Sequence, residues 1–401
     1  MAAGVRSGEL SAAELVADAL SAAAALDPVL HFVDALTPGL ARESAARIDA
    51  LPLDQRNGLA LAGVPFLAKA GTTLASPVVG RLVDAGAVLL GSSTRPDPAV
   101  VNQAWGWNGR EHTGNPWRAD RSSGGSSAGA AAAVAAGVVP VATGGDSAGS
   151  LRIPAAFCGV AGLKGTYGRV PLRRGRSLAQ LTVAGVIGAD LADTVLATSI
   201  ASGPDSRDPA ALPHWPAPAP AGKQLAVGFS ADLGYARPDG AVASLVAGRL
   251  QALAAAETIR LREVRVRLAD PVESWLPLDA LDRGQIADPA QATRAHEVRR
   301  HNDRELAALF ADVDVLVTPT TPRTAFPLED YEANLAAGHL CWAFNLSGHP
   351  AVTVPAGLLD GLPVGLQAVA AHHRDDLAVE LAGLAAVSLP DPPVCWPLPR
   401  G

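Results

Sequence analysis

The sequence holds few of the residues that mark a metal centre, an oxidising compartment or a membrane span. Only three cysteines occur in 401 residues, Cys158, Cys341 and Cys395, at unrelated spacings and without a CxxC pair. That excludes a disulfide framework and a thiolate metal knuckle. Aromatic residues make up 4% of the chain, so any two that fall close together stand out. Charged residues are 18% against 49% apolar ones, a globular composition rather than a disordered one. The net charge of -7 excludes nucleic acid and acidic membrane surfaces as partners, since neither attracts an acidic protein. The longest stretch with little charge, residues 128–142, is too short to cross a bilayer. The opening MAAGVRSGEL lacks the apolar run of a signal peptide. The expectation is a cytoplasmic, soluble protein.

What the sequence does contain is an alternation of helical and extended patterns. Residues 9–25 carry apolar positions at helical spacing, with Ser11 as N-cap and Glu14 three residues on. A second helix is expected over 40–50. The apolar run that ends at Lys69 reads as a buried strand. Helix and strand follow again through 76–93, 128–142, 183–202, 224–229 and 240–256. Strands are expected at 312–319, 350–357 and 363–371, and a closing helix near 375–387. This order predicts α/β layers around a mostly buried sheet. The Pro- and Ala-rich segment 203–222 reads as a long surface connection within that sheet. No repeat of fixed period is present.

The chemistry concentrates in residues 121–166, where two Gly/Ser clusters stand 24 residues apart, counted from Ser126 to Ser150. Glycines there open backbone conformations closed to other residues and let N–H groups converge on an anion. Three readings compete. A phosphate loop is disfavoured, because neither GxxxxGK[ST] nor GxGxxG occurs. Gly145-Asp-Ser-Ala-Gly149 matches GxSxG, a nucleophile elbow centred on Ser147. An elbow needs a helix directly after its serine, and Pro154 would break that helix within its second turn. His349, His372 and His373 are the available bases for it, none in a convincing setting. The third reading is a pair of loops whose backbone amides hold an oxyanion.

The third reading fits a family. Gly124-Gly125-Ser126-Ser127-Ala128-Gly129 and the stretch from Gly144 through Ser150 to Thr166 resemble the two Gly/Ser blocks of the amidase signature family. Gly63 to Lys69 is similar to that family's lysine segment, and Gly114-Asn115-Pro116-Trp117 to the stretch ahead of its first block. DVLVTPTTP and FNLSGHPAVTVPAGLLDGLPVGLQAVA follow in family order, so the resemblance runs from about residue 9 to 387. It implies an α/β/α sandwich around a large mixed sheet, a single domain over 1–401. Its catalytic core would lie at about 60–190, with 220–390 completing the sheet and pocket. It implies a serine amide hydrolase with a small-molecule amide substrate and no metal or organic cofactor.

The resemblance assigns Ser150 as nucleophile, Ser126, held by a cis peptide bond, as proton relay, and Lys69 as base. A serine hydroxyl is a weak nucleophile until its proton is taken. A lysine takes it only when neutral, which burial promotes by disfavouring the ammonium. The backbone N–H groups of Ser147, Ala148, Gly149 and Ser150 are the implied oxyanion donors. Asp146 and Arg152 would support that loop, and Ser127 would hydrogen-bond beside it. Trp105, Trp107, Asn108, Tyr331 and Trp342 are candidate pocket walls, because aromatics are scarce elsewhere.

The chain also departs from the pattern. Ala128 and Ala148 replace glycines, Ala70 an aspartate and Gly165 a proline. Only 56 residues separate Lys69 from Ser126, and 260–300 is also short. The expectation is a more open site, or one completed by another protein chain, as in a homodimer. Two rivals accompany plain hydrolysis. One is the same triad used for amide-forming transfer, cyclisation, or ester or carbamate cleavage. The other is a partner-dependent or idle subunit of a transamidation-type complex.

Overall fold

The computed structural model describes residues 1–97, 104–172, 179–216, 218, 222–282, 285, 288–330 and 337–396. The strands in chain order are β1 (Val33–Leu36), β2 (Pro65–Lys69), β3 (Val88–Ser93), β4 (Gly114–Asn115), β5 (Arg118–Ser122) and β6 (Val141–Asp146). Then come β7 (Ala161–Lys164), β8 (Val183–Gly188), β9 (Leu225–Phe229), β10 (Ile259–Arg262), β11 (Val315–Pro319), β12 (Ala351–Leu359) and β13 (Leu362–Ala370). Among the described residues eleven of them form one sheet, in the order β1-β3-β2-β6-β8-β7-β12-β13-β11-β9-β10, and β4 and β5 pair separately. The sheet is mixed: β2 runs parallel to both β3 and β6, whereas β6 and β8 are antiparallel.

Strand alternation explains why helices cover both faces. In β2, Phe66 and Ala68 pack with Val79 and Leu82 of the helix Pro77–Asp84, while Leu67 packs on the other face with the alanines of the helix Ala128–Ala135. In β11, Val315 and Val317 face the helix Gly240–Ala255, and Leu316 faces away. Continuous apolar strands of this kind need cover on both sides, and the result is an α/β/α sandwich. The expected helix near the start runs from Ala12 to Leu30 and is closed by the predicted capping box, with Ser11 accepting from Ala13 and Glu14 N–H groups. The segment 203–222 lies between the helix Leu191–Ala201 that follows β8 and the strand β9, and β8 and β9 belong to the one sheet. Among the described residues no helix is long and apolar enough to cross a membrane.

The arrangement places chemistry at one edge. The parallel neighbours β3, β2 and β6 end together, at Ser93, Lys69 and Asp146, with Lys69 in register with Ser93. The carboxyl ends of parallel strands are where open α/β sheets present their ligand clefts.

Candidate active site

Lys69 ends β2, and its Nζ lies 2.6 Å from Ser126 Oγ, to which it donates. Ser126 follows a cis Gly125–Ser126 peptide bond and precedes the helix Ala128–Ala135, so β2 and this helix together fix the pair. Gly124 is required just upstream. Its φ is +79°, and a Cβ there would stand 2.5 Å from Pro154 Cα. Burial lowers the Lys69 pKa to about 7; the Asp146 carboxylate opposes that shift and the Arg95 guanidinium adds to it. Lys164 is also buried and lowered to about 7, but among the described residues its Nζ donates only to the neighbouring Gly165 carbonyl. Of these two lysines with lowered pKa, it is Lys69 that touches a serine.

The second Gly/Ser block forms the loop between β6 and the helix Arg152–Cys158. Asp146 holds this loop from beneath. Its Oδ1 accepts from Gly149 N–H at 2.8 Å and its Oδ2 from Leu151 N–H at 3.2 Å. Arg152 grips the same carboxylate with Nε and a terminal nitrogen, both at 2.9 Å, and both residues are fully buried. Burial alone would raise the Asp146 pKa; the Arg152 charge and hydrogen bonds, Lys164 and Asn345 pull it well below the usual carboxylate range. The remaining donors of Arg152 go to the Cys341 carbonyl, Gln367 Oε1 and Asn345 Oδ1. Asn345 also donates to Asp146 Oδ1 at 2.9 Å. A buried ion pair with every donor matched fixes geometry more than it adds stability.

One expected oxyanion donor needs correction. The Gly149 N–H is taken by Asp146, so it is not directed at a ligand. Among the described residues the N–H groups of Ser147, Ala148 and Ser150 have no acceptor. Gly149 is instead a packing position, with φ at +112° and room for no side chain: a Cβ would stand 2.7 Å from Cys341 Cβ. Ser150 is partly exposed, and its carbonyl accepts from Ser127 N–H at 3.3 Å, which ties the two Gly/Ser loops together. Ser127 is itself buried, its hydroxyl 3.5 Å from the Gly145 carbonyl. Among the described residues no hydrogen bond joins Ser126 to Ser150.

The elbow reading fails on geometry. Ser147 pairs with Thr182 through their hydroxyls at 2.7 Å, and the next helix begins only at Arg152. Among the described residues none of the three histidines contacts it; His349 stands against Ser347 Oγ at 2.8 Å, with its ring tilted against that of His372.

The expected pocket walls divide. Trp342 and Trp105 are both buried in an apolar cluster that Ala148 joins. Trp107 is half-buried, and its ring packs at a tilt against His112 with centroids 4.8 Å apart. Asn108 is half-buried, and its Oδ1 accepts the Arg110 and Glu111 N–H groups of its own turn, which leaves its amide N–H groups for a ligand. Tyr331 lies outside the described residues. Sequence reasoning missed Trp275, on the helix Val272–Asp282 within the shortened region. Its indole N–H donates to the Ser147 carbonyl at 2.6 Å, and its ring pairs with Trp342 at 5.8 Å. It also missed Asn345 and Gln367. A lone glutamine in the all-buried strand β13 was the available signal.

The family model described as Amidase matches residues 71–281 and 268–379. An acylamidase of Rhodococcus erythropolis is 35% identical, over 76% of this chain and 73% of its own length. The A-type subunit of a glutamyl-tRNA(Gln) amidotransferase, from Symbiobacterium thermophilum, is 32% identical, over 94% of this chain and 93% of its own. The solved structure of a bacterial aryl acylamidase of the amidase signature family superposes with a TM-score of 0.84, over 96% of this chain and 94% of that one, at 23% identity. With a shared fold and these sequence matches, the chain belongs to the amidase signature family.

Proposed function

We propose that the protein hydrolyses amides through an acyl-enzyme on Ser150. The observation that carries this reading is the 2.6 Å contact of Lys69 with Ser126, at a lysine brought to about 7 by burial. Neutral Lys69 takes the Ser126 proton while Ser126 takes that of Ser150, whose Oγ attacks the amide carbon. The relay requires Ser150 Oγ to turn toward Ser126 in the substrate complex, where catalytic hydrogen bonds tighten. The proton returns through Ser126 to the amine as the C–N bond breaks, and water then cleaves the ester.

The oxyanion falls to the Ser147, Ala148 and Ser150 amides. Here Trp275 acts as a positioning residue. The Ser147 carbonyl and the Ala148 N–H belong to one trans peptide and point in opposite directions. Holding the carbonyl from behind therefore aims the N–H forward. Trp275→Phe keeps the ring and removes the donor, and is expected to lower kcat about tenfold, the value of one hydrogen bond, with KM little changed. Equal loss in kcat and stability, or none, would count against this.

A second reading is transfer of the acyl group to an amine, favoured by the likeness to an amidotransferase component over nearly the whole chain. Hydroxylamine partitioning tests both. A common acyl-enzyme gives the same hydroxamate-to-acid ratio from acetamide and acetanilide, since the leaving amine has departed. A ratio that follows the leaving group argues against a covalent intermediate. Turnover that appears only with a partner protein would favour the transamidation-complex reading.

A further inference from the structure

Beside Lys69 stands a cation that the reaction does not use. Arg95 lies two residues beyond Ser93, where β3 ends in register with Lys69. Its guanidinium is laid on the turn that leaves Lys69: the carbon and one nitrogen are each 3.4 Å from where a Cβ of Gly71 would be. The backbone beneath it is braced, since Trp107 N–H donates to the Arg95 carbonyl at 2.9 Å and the Trp107 ring packs at a tilt against His112. The residue is partly exposed. Among the described residues its guanidinium makes no hydrogen bond or ion pair. Its charge acts on Lys69. Asp146, at the end of β6, is already paired with Arg152.

A guanidinium offers a planar fork of donors that fits a carboxylate in bidentate fashion. Leaving such a fork empty next to a lysine that must stay uncharged has an electrostatic cost whenever Lys69 takes up the proton. An anion seated on Arg95 offsets that cost during the proton transfer itself. We infer that Arg95 binds a carboxylate carried by the substrate, so that the enzyme selects amides bearing an anionic group near the scissile bond. This rests on the amide-hydrolase reading above and adds the substrate class to it.

Matched pairs test it: succinamate against butyramide for the acyl side, and 4-acetamidobenzoate against acetanilide for the amine side. Within one pair the charged member has the higher kcat/KM, and Arg95→Met lowers that preference by about 10- to 100-fold, with part restored in Arg95→Lys. Any effect that Arg95 exerts through Lys69 touches both members and cancels in the ratio. An unchanged ratio in both pairs overturns the inference, as does a wild-type enzyme without preference. Calorimetry on the Ser150→Ala protein provides a reading independent of turnover. Succinamate or 4-acetamidobenzoate should bind more tightly than its neutral match, and lose that margin when Arg95→Met is added. Should the wild type cleave none of the four compounds, the hydrolase reading fails. The calorimetric margin then decides Arg95 alone, its presence supporting carboxylate binding and its absence overturning it.

Discussion

Lys69→Ala is expected to lower kcat by up to about 10⁴-fold, the upper range for a lost general base, in a protein that stays folded. The expectation follows from the strand that carries Lys69. Phe66, Leu67 and Ala68 are buried, so the lysine that ends their run is drawn into protein and its ammonium loses hydration. Asp146 alone would hold the proton on, yet its charge is committed to Arg152 at 2.9 Å, and Lys69 still falls to about 7. The truncation removes the one basic group in contact with Ser126. It removes no strand hydrogen bond, and the one hydroxyl that loses its partner, Ser126 Oγ, is only partly buried. Circular dichroism on the variant separates loss of chemistry from loss of fold. Undiminished turnover would reject Lys69 as the base.

Ser150→Ala carries the other large effect, a loss of about 10⁴- to 10⁶-fold, as when a serine nucleophile is deleted and only binding and the oxyanion amides remain. The residual rate should not fall further when Lys69→Ala is added, since residues that act as one unit are not additive. A fluorophosphonate locates the nucleophile directly. Between Arg121 and Arg152 the sequence has no lysine or arginine, so Ser126, Ser147 and Ser150 share one tryptic peptide and fragment ions must assign the adduct. The adduct is expected on Ser150. An adduct on Ser147, whose hydroxyl bonds Thr182, would restore the elbow reading.

Much of the scaffold was legible because burial leaves a period in the sequence. The run into Lys69, the Ser11 capping box and the paired strands Ala351–Leu359 and Leu362–Ala370 all follow from local patterns. The two Gly/Ser blocks were legible as loops, and the Asp146–Arg152 pair as their support. What stayed hidden lies far apart in sequence. Trp275 reaches Ser147 across 128 positions and Gln367 reaches Arg152 across 215. Periodicity tells which face of an element is covered, not by what. The engagement of Gly149 by Asp146 was hidden for another reason: residue types do not reveal which of four successive amides turns inward. The turn that occupies the Asn108 Oδ1 was hidden likewise, since an asparagine engages its own backbone as readily as a ligand.

The pH dependence of kcat/KM for a neutral amide tests the central claim most directly, because a neutral amide has no titration of its own to confuse the profile. Lys69 must be unprotonated to accept a proton, so the rate should climb about tenfold per unit of rising pH below about 7 and level above it. That acid limb should vanish from the residual activity of Lys69→Ala. A profile flat down to pH about 5, or one that climbs only near the ordinary lysine value of about 10.4, would contradict a lysine made basic by its dry surroundings.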